Sequence, residues 1–183
     1  MITKRRLRAL ADPFAWQAGA RRVQGQPPQG LLLIEAGGLG DAFLLSAVID
    51  AFRPLARPGE PIRLLLRKET AKADFSMPPD IQVEIIDFYR LMTDLCYRFK
   101  TLAEVRGWNL RSVVSLDWRR HPWMDDALLM AAAHGAQFSA AFTPKPWPKF
   151  GRKLEKNAKR LTKLVEPPRP ASMIERWLHL ARG

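Results

Sequence analysis

Residues 30–54, GLLLIEAGGLGDAFLLSAVIDAFRP, constrain the fold of this chain more than any other stretch. Leu31 to Ile34 form an unbroken apolar run, followed by Glu35, Ala36 and the turn Gly37, Gly38, Leu39, Gly40. A short apolar run bounded by glycines fits a strand buried on both faces of a parallel sheet. After Asp41, the apolar positions Phe43, Leu44, Ala47, Val48, Ala51 and Phe52 fall at helical spacing until Pro54 ends the pattern. Between strand and helix the glycines let the backbone approach another group closely, because they carry no Cβ. Open α/β sheets build a ligand site from this unit, at the carboxyl end of the first strand.

An anion is the ordinary occupant of such a turn, since N–H groups at a helix start and the helix dipole favour negative charge. Two features oppose a phosphate here. The spacing is G-G-x-G followed by Asp, not the G-x-G-x-x-G of dinucleotide sites, and the phosphate-loop lysine pattern is missing. Asp41 also brings its own charge to the place a phosphate would take. Two roles fit that aspartate. It can cap the helix, worth roughly 0.5–2 kcal/mol, or act as a general base aimed at a hydroxyl.

Beyond Pro54 strands and helices alternate. Residues 61–67 read as the second strand, 68–80 as a short helical or irregular crossover, and 83–88 as the third strand. Helical spacing of apolar groups runs over 90–105, a fourth strand over 112–118, a helix over 123–134 and a fifth strand over 136–142. Alternation of this kind predicts a doubly wound, Rossmann-like α/β domain with a parallel sheet and right-handed crossovers. Leu154, Ala158, Leu161 and Leu164/Val165 make one stripe among lysines, predicting a basic surface helix within 144–169, and 172–180 predicts a last short helix.

At 183 residues, 47% of them hydrophobic, the chain can build one good core but hardly two. The domain is expected over 30–183, preceded by a basic extension and linker over 1–29. One cysteine, Cys96, excludes an internal disulfide, and with three scattered histidines no metal site is expected. Low cysteine content suits a cytoplasmic location, and no apolar run approaches the ~20 residues of a membrane span. The net charge of +12 is concentrated: residues 1–22 carry +5, residues 145–169 carry +7, and the rest balances. Leu7, Leu10 and Phe14 lie on one stripe beside four basic residues, which suits either an anionic membrane surface or packing onto the domain. Asp12-Pro13 is expected to limit that helix. Trp147 and Phe150 among lysines also suit single-stranded nucleic acid, although a solvated helix face is the commoner outcome.

The stretch LLLIEAGGLGDAFLLSAVIDAFR resembles the opening of glycosyltransferase family 9, the ADP-heptose:lipopolysaccharide heptosyltransferases, in which a strand and a glycine turn ending in Gly-Asp lead into a helix. Only Gly40-Asp41 is a specific match. From Gly30 to the C-terminus the rest agrees as pattern, including Ser115-Leu116-Asp117-Trp118, where the family has an Asp-Leu-Gln-Gly-like motif. The resemblance implies the acceptor-binding half of a GT-B enzyme, with Asp41 as the base that deprotonates the acceptor hydroxyl. It further implies substrate contacts from Gly37, Gly38, Leu39, Gly40 and Asp117, with Arg119 and Arg120 holding anionic groups of a lipopolysaccharide-type acceptor. A nucleotide-sugar donor would then be bound by a separate half, without any metal, at the inner membrane face. This sequence has Trp-Arg or Arg-Arg in place of Gln-Gly, so acceptor recognition is expected to differ from the family's. Two rivals stand beside this reading. One is an NADP-dependent oxidoreductase using Arg67 and Lys68 for the 2′-phosphate; the other is a non-catalytic basic adaptor for nucleic acid or membrane.

Overall fold

The computed structural model describes residues 4–118, 120, 122–146 and 151–183; for residues 4–6 and 122–124 it describes the backbone only. The chain runs α1 (Lys4–Arg22), β1 (Leu31–Glu35), α2 (Leu39–Ser46), a 3-10 segment (Ile49–Leu55) and β2 (Ile62–Arg67). A second 3-10 segment (Lys68–Ser76), β3 (Ile81–Ile86), α3 (Phe88–Thr93), α4 (Leu95–Gly107) and β4 (Ser112–Ser115) follow. Then come α5 (Pro122–Ala133), β5 (Phe138–Phe142), α6 (Gly151–Ala158), β6 (Lys163–Val165) and α7 (Met173–Arg182).

Six parallel strands form one sheet in the order β3-β2-β1-β4-β5-β6, a doubly wound Rossmann-like arrangement. β1 lies at the centre, with Leu31 beside Ile62 of β2 on one side and beside Ser112 of β4 on the other. All five of its residues are buried, because helices cover both faces. The pleat sorts them. Leu32 and Ile34 enter a core with Ala15 of α1, Leu102 of α4, Leu128 of α5 and Leu154 of α6. Leu31 and Leu33 enter the opposite core with Ala42 and Leu45 of α2, Phe52, and Trp177 of α7. Each buried leucine or isoleucine contributes roughly 1.5–3 kcal/mol, so this central strand anchors both layers.

Several boundaries differ from the sequence reading; the fourth strand, expected over 112–118, ends at Ser115, and the helix expected to run to Pro54 ends at Ser46, with Pro54 inside the 3-10 segment that follows. The helix expected within 144–169 covers only 151–158, and residues 163–165 pair as a sixth strand beside β5. That edge strand is three residues long with Lys163 and Leu164 exposed, so its lysine-leucine pattern imitates a helix stripe. The 90–105 helix divides at Asp94, whose carboxylate accepts the Tyr97 N–H and caps α4. The third strand starts earlier and ends at Ile86, because Asp87 caps α3 by accepting the Arg90 N–H. Finally, α1 passes through Pro13 without stopping. The Asp12 carboxylate is held by Arg98 of α4 through two 2.6 Å bonds, and a Cβ on Gly19 would lie 2.3 Å from the Ala103 carbonyl oxygen. Close docking of α1 on α4 thus offsets the hydrogen bond that the proline removes.

Candidate functional site

The strand order reverses between β1 and β4, so the turns after these two strands face each other across the crevice where ligands of open α/β sheets sit. The Leu116 N–H donates to the Ile34 carbonyl at 3.0 Å and joins the two turns just beyond the sheet. One turn supplies Glu35, Gly37, Gly38 and Asp41, and the other supplies Asp117 and Arg120.

In the first turn the Gly37 N–H donates to Glu35 Oε1 at 2.6 Å, and the Gly38 N–H donates to Asp41 Oδ2 at 3.1 Å. Both carboxylates fold back over the glycines. A Cβ on Gly37 would meet Glu35 Oε1 at 2.3 Å and Asp41 Oδ2 at 2.5 Å, whereas one on Gly40 would meet nothing within 4 Å. Gly37 is therefore the glycine the local geometry requires, and Gly40 is open on its outer side. Leu39 and Gly40 begin α2 with exposed surfaces, and Asp41 in its first turn satisfies a helix-start donor.

Arg120 links the two turns. Its Nη2 lies 2.8 Å from Asp41 Oδ2, and its Nε lies 3.1 Å from Asp117 Oδ1. Asp117 is buried, while the Asp41 side chain keeps 19% of its surface in contact with solvent. Instead of standing ready for an acceptor anion, Arg120 is committed to the protein's own carboxylates. Arg119 and His121 lie outside the described residues. Asp125 and Asp126 serve elsewhere: Asp125 accepts the Ser115 hydroxyl, and Asp126 binds Asn157, Lys153 and the Trp118 indole N–H.

Glu35 is the site member that sequence reasoning passed over. It closes an apolar strand, and its chain position marks it as a charged residue delivered into the interior. Burial, then the charges of Asp117 and Asp41, hold its carboxyl well above the usual range despite the Gly37 N–H and Arg120, which act the other way. Its Oε2 is buried without a partner among the described residues. A carboxyl raised in the folded state binds its proton more tightly there than in the unfolded chain. The stabilisation is complete below the ordinary glutamate value of about 4.3 and is lost as pH rises from there through the raised folded value. Glu35→Gln should therefore flatten the fall in urea midpoint between pH 4 and pH 8. Asp125, raised mainly by its burial, leaves a residual slope of the same sign. An unaltered slope in Glu35→Gln would show that this glutamate ionises as freely folded as unfolded.

Arg67 and Lys68, the groups considered for a 2′-phosphate, pair with Glu69 at 3.3 Å and with Asp87 at 3.4 Å. Among the described residues no group of His, Cys, Asp and Glu is arranged to hold a metal ion, and no helix is long and apolar enough to cross a membrane. Comparison with protein-family models, curated proteins and solved structures yields no match.

Proposed function

We propose that this chain is the acceptor-binding half of an inverting glycosyltransferase of the heptosyltransferase type, with Asp41 as its base. One observation carries the reading: a partly exposed carboxylate is held by Arg120 and a backbone N–H at the mouth of the crevice where strand order reverses. Asp41 takes the proton of an acceptor sugar hydroxyl. That oxygen attacks the anomeric carbon of a nucleotide-sugar, and the bond to the diphosphate breaks with its electron pair leaving on the diphosphate. A carboxylate beside an arginine is a weak base. Here the arginine also contacts Asp117, so its charge stays compensated when Asp41 becomes neutral. Charge for the departing diphosphate comes from a donor-binding half outside this chain.

The acceptor suited to this reading is a lipopolysaccharide-type glycan at the cytoplasmic face of the inner membrane. Supporting that place, α1 docks through Asp12, Ala15 and Gly19 and leaves Leu7, Leu10 and Phe14 outward, 39%, 60% and 65% exposed. The oxidoreductase reading is weakened by Asp41 at the helix start and by the paired Arg67 and Lys68. In a reconstituted pair with a donor half, Asp41→Asn should lower transfer on the order of 10²–10⁴-fold, with the circular dichroism spectrum unaltered. Unchanged turnover in that variant would remove the base from this carboxylate.

A further inference from the structure

A depression lies at the other end of the strands from the crevice, where α5 runs out before β5. It sits between the middle of α1 and the end of α5 and has a volume of about 660 Å³, within the usual size range for a small-molecule site. Trp16, Gln17, His134, Gly135 and Arg160 are among the residues that line it. The Trp16 and His134 rings stack with centroids 5.7 Å apart and planes at 28°. The Trp16 indole N–H is buried without an acceptor. The Arg106 guanidinium packs against Gly135, whose φ of +101° and lack of Cβ make room for it; a Cβ there would lie 2.7 Å from Nη2.

The charges are of one sign. Among the described residues neither Arg106 nor Arg160 has a carboxylate partner, and Arg106 Nε is buried and unbonded. Burial and these two guanidinium groups keep the His134 imidazole below its ordinary value, so near neutral pH it adds an aromatic surface and not a third cation. Among the described residues no acidic side chain lines the depression. A lining arginine, a second guanidinium behind Gly135 and aromatic faces suit a ligand that is flat and negatively charged.

We propose that this depression binds a small planar anion of the nucleoside monophosphate class, its ring on the Trp16–His134 pair and its phosphate toward Arg160. The site is independent of the carboxylate crevice and of the transfer reaction proposed for it.

Calorimetric titration of the full chain with adenosine monophosphate tests this directly, with adenosine and inorganic phosphate as separate probes. Saturable binding with a Kd of about 1 mM or tighter is expected for the monophosphate, with each fragment at least tenfold weaker. Arg160→Glu, a change at an exposed turn, should weaken the monophosphate at least tenfold, and Trp16→Phe should weaken it while leaving inorganic phosphate unchanged. Asp41→Asn should leave all three titrations as they were. No saturation by any probe, equal binding of phosphate and monophosphate, or loss of binding in Asp41→Asn with none in Arg160→Glu would overturn the assignment.

Discussion

Replacing Asp12 by alanine should cost about 3–5 kcal/mol of folding stability, far more than a typical surface charge. The Asp12 and Arg98 side chains are only 12% and 9% exposed, and two parallel bonds of 2.6 Å join them. Removing the carboxylate leaves a guanidinium in the α1–α4 interface with, among the described residues, only the Leu91 carbonyl to accept from it, at 3.1 Å. The expense comes from stranding one buried charge, not from the pair being strongly favourable. Accordingly, the double change Asp12→Leu with Arg98→Met should restore stability to within about 1–2 kcal/mol of the parent, or exceed it. Urea denaturation followed by circular dichroism measures all three. A single-alanine cost below about 1 kcal/mol is the behaviour of a solvated pair and would contradict burial of this one.

Gly37→Ala should disable the crevice while the fold survives. The new methyl would occupy space held by Glu35 Oε1 and Asp41 Oδ2, and it would also lie 3.1 Å from Asp41 Cβ. Both carboxylates must withdraw, which separates Asp41 from Arg120. The local strain is of the size of core overpacking, about 1–3 kcal/mol. The larger consequence is for proton transfer, since displacing a reacting group by about 1 Å can lower turnover by about 10²-fold. Gly40→Ala is the informative contrast. It sits in the first turn of α2 with no atom within 4 Å of the added methyl, so stability should hold or rise by up to about 1 kcal/mol. If the open side of Gly40 is where a sugar approaches, that variant raises KM without unfolding anything. Equal turnover for Gly37→Ala and the parent would show that the carboxylate positions are not needed for the reaction.

The sheet was readable wherever strands are buried on both faces, because Leu31–Ile34 and Val113–Val114 have no polar partner face to blur the pattern. β6 was not, since an edge strand with an exposed lysine and leucine carries the same spacing as an amphipathic turn. Pro13 was weighed as a local breaker, yet the decision belonged to Asp12 and Gly19, which act through α4, roughly eighty residues onward. At the crevice, Asp41 and Asp117 stand out in the sequence as acids just beyond strands. The pairing of Arg120 with both does not, because it depends on two turns meeting only once the sheet has closed. Nor could spacing tell which glycine is sterically necessary. Gly37 and Gly40 look equivalent on paper and differ only in what stands beside them.

The seating of α1 on α4 has a consequence for synthesis. Helix α1 leaves the ribosome before α4 and finds its surface only after residues 95–107 have been made, so its Ala15 and Gly19 face waits uncovered while three strands emerge. Contacts of such wide separation are closed late, because the loop between them must be ordered before they reward it. Helix α1 thus settles no earlier than α4, and a nascent chain stalled before α4 presents an unburied helix to chaperones.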